Sequence, residues 1–117
     1  MTDRPIRDTP NVVTEIQLKA LLEHGWGIEV AARADPVLKQ SFWSGEWIIR
    51  VVNEDGDEER ALVPTRAGGD LEIKLRLFKT PNGLITFLYG LGFPAATVPM
   101  RAGETALHRA SDRNVRS

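Results

Sequence analysis

Apolar and polar residues alternate most regularly over "LEIKLRLFK", Leu71 to Lys79. Leu71, Ile73, Leu75 and Leu77 share one parity; Glu72, Lys74, Arg76 and Phe78 share the other. Successive side chains of a strand point to opposite faces, so this pattern predicts a strand with one buried side. The period changes immediately afterwards. In "TPNGLITFLYGLGF", Leu84, Ile85, Leu88 and Leu91 fall at i, i+1, i+4 and i+7, one face of a helix that Phe87 and Tyr89 widen. Thr80 suits the N-cap, Pro81 the first helical position, and Gly90 and Gly92 the stop. So apolar a helix is predicted to lie across a sheet, and its short polar arc leaves part of it for a partner.

Upstream, "NVVTEIQLKALLEHG" predicts a first helix. Ile16, Leu18, Ala20, Leu21 and Leu22 form its apolar stripe, Asn11 or Thr14 its cap, and Gly25 its stop. "WGIEVAARA" alternates, with Trp26, Ile28 and Val30 opposed to Glu29 and Arg33, and predicts a strand. "DPVLKQSFWSG" breaks that pattern with Pro36 and a Ser-Gly pair and reads as a loop, with room for one helical turn. "EWIIRVV" reads as a strand, Asp55-Gly56 as a hairpin signal and "RALVPTR" as the returning strand, with Pro64 confined to an edge or an end. "AGGD" reads as a turn and "AATVPM" as a short edge strand. The expected organisation is an arm over residues 1–10, one domain over 11–100 and a polar tail over 101–117, with at most a helical turn near Glu104 to Arg109. The class is α+β: a mainly antiparallel sheet of about four strands with two helices packed on one face.

Composition narrows the chemistry. The chain has 117 residues, enough for one domain, with 42% apolar and 26% charged residues, as in ordinary globular proteins. It has no cysteine, which excludes disulfides, thiolate catalysis and iron–sulfur clusters and suits a reducing cytoplasm. "MTDRPIRDTP" has no apolar core of the secretory kind, and the longest apolar passage, Leu84 to Phe93, is half the ~20 residues a membrane span needs. A cytoplasmic protein without a membrane partner is therefore expected. Charge is uneven: residues 1–60 carry seven Lys/Arg against twelve Asp/Glu, net −5, and residues 61–117 carry eight against four, net +4. This suits either an anionic partner for the second half or two halves that attract each other.

No catalytic constellation is legible. His24 and His108 are far apart and neither has a metal-spaced neighbour; His24 fits a helix C-terminus, where its cation suits the dipole. Glu54, Asp55, Asp57, Glu58 and Glu59 lack the ligand spacing of a calcium loop and read as a solvated hairpin tip. "TRAGGD" has paired glycines without the Lys-Ser/Thr of a phosphate loop, and no serine stands in a Gly-x-Ser-x-Gly turn. No cofactor, metal or enzymatic activity is expected.

Two surfaces remain. Phe42, Trp43 and Trp47 fall within six residues and are candidate partner-binding residues; the alternative is that all three are core, and if Trp47 points inward Trp43 is the one left exposed. Lys74, Arg76 and Phe78, with Lys79 and Arg66 nearby, are a candidate nucleic-acid face, able to hold a backbone and stack a base. Glu72 shares that face and the positive charges are few for strong duplex binding.

Arg76, Phe78, Lys79, Thr80, Phe87, Leu88, Leu91 and Gly92 form a pattern similar to the R-x-F-(K/R)-(S/T) … F-L-x-x-L-G signature of small plasmid-borne partition or stability accessory proteins of proteobacteria, the ParC-like group. The preceding order, helix then strand hairpin, resembles that group too. The likeness covers about half the chain. The "PNG" at Pro81 to Gly83 departs from the alanine-rich start usual there, and the C-terminal segment is longer. The resemblance implies an accessory role on a mobile element and brings no catalytic residues with it. The expected function is a non-enzymatic interaction module that binds a protein partner or self-associates; the alternative is a weak nucleic-acid binder.

Overall fold

In the computed structural model, which describes residues 11–64 and 74–113, both helices begin and end where the capping residues dictate. Helix α1 spans Glu15–Glu23. The Thr14 hydroxyl accepts from the Gln17 N–H at 3.4 Å and the Gln17 side chain accepts from the Thr14 N–H at 3.0 Å, a reciprocal capping box. Helix α2 spans Pro81–Gly90, with the Thr80 hydroxyl accepting from the Gly83 N–H at 3.0 Å. Gly25 and Gly92, just past the two helices, have φ of +93° and +101°, a conformation that costs most side chains roughly 1 kcal/mol or more. Each helix buries two leucines one turn apart, Leu18 and Leu22 on α1 and Leu84 and Leu88 on α2. The predicted stripes are too wide: Ile16 and Ala20 on α1 and Ile85 and Tyr89 on α2 face solvent.

Strands β1 (Val12–Val13), β2 (Gly27–Ala32), β5 (Trp47–Val52), β6 (Glu59–Leu62) and β7 (Thr105–His108) form one sheet in the order β1-β6-β5-β2-β7. Strands β3 (Val37–Lys39) and β4 (Phe42–Ser44) form a separate two-stranded sheet. All pairings are antiparallel except β1 with β6. The α+β class and the mainly antiparallel sheet agree with the sequence, with five strands in the main sheet rather than about four. The β2–β5 register places Ile28 opposite Val51, Val30 opposite Ile49 and Ala32 opposite Trp47. These six residues, the four helix leucines, Val13, Leu62, Phe78, Leu91 and Phe93 form a single buried cluster. Both helices thus cover the same face of the sheet. Burying each large aliphatic member contributes about 1.5–3 kcal/mol before conformational entropy is counted. On the other face Arg50 bridges Glu29 at 3.0 Å and Glu59 at 3.7 Å across three adjacent strands.

Three expectations are corrected. The regular alternation of Leu71 to Lys79 does not make a strand of Lys74–Leu77. Arg76 donates its N–H to the Leu62 carbonyl at 3.0 Å, and Phe78 makes one antiparallel bridge with Trp47. The faces are also inverted, with Phe78 buried and Leu77 exposed. The reason is competition for the edge of β5: β6 already pairs there with Arg50, Val51 and Val52, and the later segment meets that edge at Trp47 alone. The polar segment after Arg101, read as a tail, supplies β7 beside β2 and a 3-10 turn over Ala110–Asp112. "AATVPM", read as an edge strand, is irregular; the Pro99 carbonyl accepts from the Trp47 indole N–H at 2.8 Å. Residues 1–10, the "AGGD" turn, Leu71 to Ile73 and residues 114–117 lie outside the described residues.

Candidate functional site

The segment "DPVLKQSFWSG" is a β-hairpin and not a loop. Val37 pairs with Ser44, Leu38 with Trp43 and Lys39 with Phe42, leaving Gln40 and Ser41 as a two-residue turn. Both turn residues have positive φ, 49° and 74°, the signature of a type I′ hairpin turn. That turn ordinarily uses Asn-Gly, so Gln40-Ser41 carries no hairpin signal of its own. Residues directly opposite share a face, so Leu38 and Trp43 lie on one side, and Val37 and Phe42, with Lys39 and Ser44, on the other. Among the described residues none of these side chains joins the buried core. Val37, Leu38, Phe42 and Trp43 are 50%, 52%, 77% and 42% exposed.

The root of the hairpin is firmly held. Asp35 accepts from the Ala102 N–H at 2.8 Å, and Arg33 donates its N–H to the Glu46 carbonyl at 2.8 Å. Gly45 donates to the Lys79 carbonyl at 2.8 Å, and Trp47 and Phe78 exchange backbone bonds of 3.0 and 2.9 Å. A Lys79–Glu46 ion pair of 3.6 Å lies alongside. These contacts continue the line of β4 toward the domain. The outer edge of β3 has no strand partner among the described residues.

The sequence named Phe42, Trp43 and Trp47 as partner-binding. Phe42 and Trp43 are on the surface as that requires. Trp47 is corrected: it is fully buried, on the core face of β5 opposite Ala32, with its indole N–H satisfied by Pro99. Val37 and Leu38 complete the exposed patch and were missed. The signal was two apolar pairs, Val37-Leu38 and Phe42-Trp43, flanking the polar Lys39-Gln40-Ser41.

Of the candidate nucleic-acid residues that are described, Arg76 and Phe78 lie together, but the aromatic one is covered. Phe78 is buried, with its ring centroid 5.1 Å from that of Phe87, so its face is not open to a base. The Arg76 guanidinium lies 4.9 Å from the centroids of both Phe78 and Phe87 and bonds Glu15 at 3.1 Å. Burial raises the Glu15 carboxyl, but its hydrogen bonds to Arg76 and Lys19 and their charges outweigh that and hold it below its ordinary 4.5. Lys79 pairs with Glu46, Lys74 is exposed, and Arg66 lies outside the described residues.

His24 caps the C-terminus of α1, as expected. His108 is buried on the core face of β7, accepting from the Thr97 N–H at 2.9 Å, with its ring edge-on to Phe93. The acidic tip is ordered by its own hairpin: Asn53 bonds the Asp57 carboxylate and the Glu58 N–H. Among the described residues no three His, Asp or Glu side chains come together as metal ligands. An open depression of about 490 Å³ lies where β2, β5 and β7 meet the end of α1, and Asn53, Arg109 and Arg113 line it. Arg113 is held there by the Leu91 carbonyl at 2.7 Å and by Glu23 at 3.5 Å. No helix among the described residues is long and apolar enough to cross a membrane. Comparison with protein-family models, curated proteins and solved structures finds no match to this chain.

Proposed function

We propose that this protein is a non-catalytic interaction module that docks a protein through the β3–β4 hairpin. The observation that supports the reading is the hairpin's exposure on both faces: four large apolar side chains stand on an element that shares none of them with the core. A two-stranded hairpin wet on both sides is marginal by itself, and its positive-φ turn adds a further cost of roughly 1 kcal/mol or more per residue. A partner that covers Phe42 and Trp43 would offset both. Aromatic anchors of this kind dominate interface energetics. An accessory role in the cytoplasm, on a mobile element, follows from the resemblance to plasmid accessory proteins and from the absence of cysteine. The nucleic-acid alternative has lost its stacking residue, because Phe78 is buried.

The test is association of the full chain, with itself or with proteins of its host, compared with a Phe42→Ser/Trp43→Ser variant whose thermal unfolding is checked first. Truncating a true anchor costs about 2 kcal/mol or more, so affinity should fall at least ~30-fold. Association of undiminished strength in the variant, or no association at all, refutes the reading.

A further inference from the structure

Resting on that docking reading, we propose that the occupant of the hairpin is a second copy of this chain, joined edge to edge along β3 in a two-fold antiparallel pairing centred on Leu38. The free edge decides the geometry. Among the described residues neither outer edge of the two-stranded sheet is paired; beyond Ser44 the β4 edge meets the Gly45–Lys79 and Trp47–Phe78 bonds of the domain, which leaves the β3 edge for a partner. An unpaired strand edge carrying apolar side chains is a template for another strand. Antiparallel pairing of a strand with its own copy is isologous, so one register satisfies both partners at once.

The side chains of that register are compatible. Leu38 meets Leu38 of the second copy on the axis, and the two Leu38–Trp43 faces adjoin in a four-stranded sheet. Lys39 falls opposite Val37, so no like charges are directly opposed. The like-charged Lys39 of the second copy is only a diagonal neighbour, roughly 7–8 Å off rather than directly opposed. Area sets the strength. Taking roughly 150–200 Å² for a fully exposed large apolar side chain, the four hairpin residues offer about 400 Å² per copy. A standard interface buries about 800 Å² per partner, a little over half of it apolar, roughly 450 Å². The supply approaches that share without exceeding it, and a side-by-side contact covers only part of it. A contact of this size belongs to the weak, reversible class.

Sedimentation equilibrium of the full chain from about 1 to 200 µM tests the pairing. The mass should rise from 13.0 kDa toward twice that value. Leu38→Lys and Leu38→Glu each place like charges on the axis, and each should stay monomeric with an unchanged unfolding midpoint, since Leu38 is not in the core. An equimolar mixture of the two should recover the dimer, because the axis then carries opposite charges. Ile16→Lys, on the exposed side of α1, should dimerise as the parent does. A parent that stays at 13.0 kDa throughout, a dimer that survives Leu38→Lys, or a mixture that fails to recover overturns the pairing. A monomeric parent that captures a different protein and loses it on Leu38→Lys overturns the second copy as occupant and leaves the docking reading standing. A monomer whose hairpin variants change no association overturns both.

Discussion

Replacing Gly45 by alanine tests the junction where the exposed hairpin meets the core. An added Cβ there would lie 3.0 Å from Cη2 and 3.2 Å from Cζ3 of the Trp47 indole, and 3.4 Å from the Pro36 Cα. The first two contacts are too close, and the indole is fully buried, so it has little room to yield. Overpacking of this kind costs about 1–3 kcal/mol, against about 0.4–1 kcal/mol gained from a stiffer unfolded chain, leaving a net loss of roughly 0.5–2 kcal/mol. Trp47→Phe alone removes the bond to Pro99, leaving a buried carbonyl unpaired, and shrinks the ring; together these cost roughly 2–4 kcal/mol. The two atoms that the alanine methyl would strike are absent from phenylalanine, so Gly45→Ala in the Trp47→Phe background should be neutral or slightly stabilising. The double-mutant coupling is then about 1–2 kcal/mol in the direction of relief. Urea unfolding of the four proteins at 25 °C, followed by far-ultraviolet circular dichroism, measures it. Additivity within about 0.5 kcal/mol would refute the indole's position against Gly45 and with it the inward orientation of Trp47.

Two further predictions concern charge and backbone. Glu15 has its carboxyl held below the ordinary value in the folded state, so the unfolded chain binds the proton more tightly and stability rises with pH through that window. The Glu15 increment is fully present above the unfolded carboxylate range and is lost as pH falls through the lowered folded value. Because the pair is a third exposed, the increment is below about 1 kcal/mol; Glu15→Gln should remove it at pH 7 and make no difference at pH 3, and equal effects in urea titrations at both pH values would refute it. The double change Gln40→Asn/Ser41→Gly gives the turn the residues its positive φ values favour and should slow amide exchange of the hairpin by a factor of roughly 5–30, with little change in global stability. Unchanged exchange rates would show that the turn is not strained.

The sequence by itself determined the local punctuation. Thr14 and Thr80 as N-caps, Pro81 at the first position of α2, Gly25 and Gly92 as stops and the Asp55-Gly56 hairpin are all where the residues placed them, because capping and turn chemistry act within a few residues. It determined the class as well, since the periods of the helices and of β2 and β5 are local properties. Tertiary structure decided which apolar residues are core. The alternation of Leu71 to Lys79 is the cleanest in the chain, yet over the described residues it yields one bridge at Phe78, because a strand needs a free neighbour and β6 already holds most of that edge of β5. Thr105–His108 is short and only half apolar, yet it is a strand, because the edge of β2 was open and the backbone bonds do not require an apolar run. Trp43 and Trp47 are four residues apart and equally apolar. One is buried because the β5 register turns it toward the core, while the other stands on a hairpin that projects from the domain. Burial depends on where distant segments come to lie, and no single stretch of the chain encodes that alone.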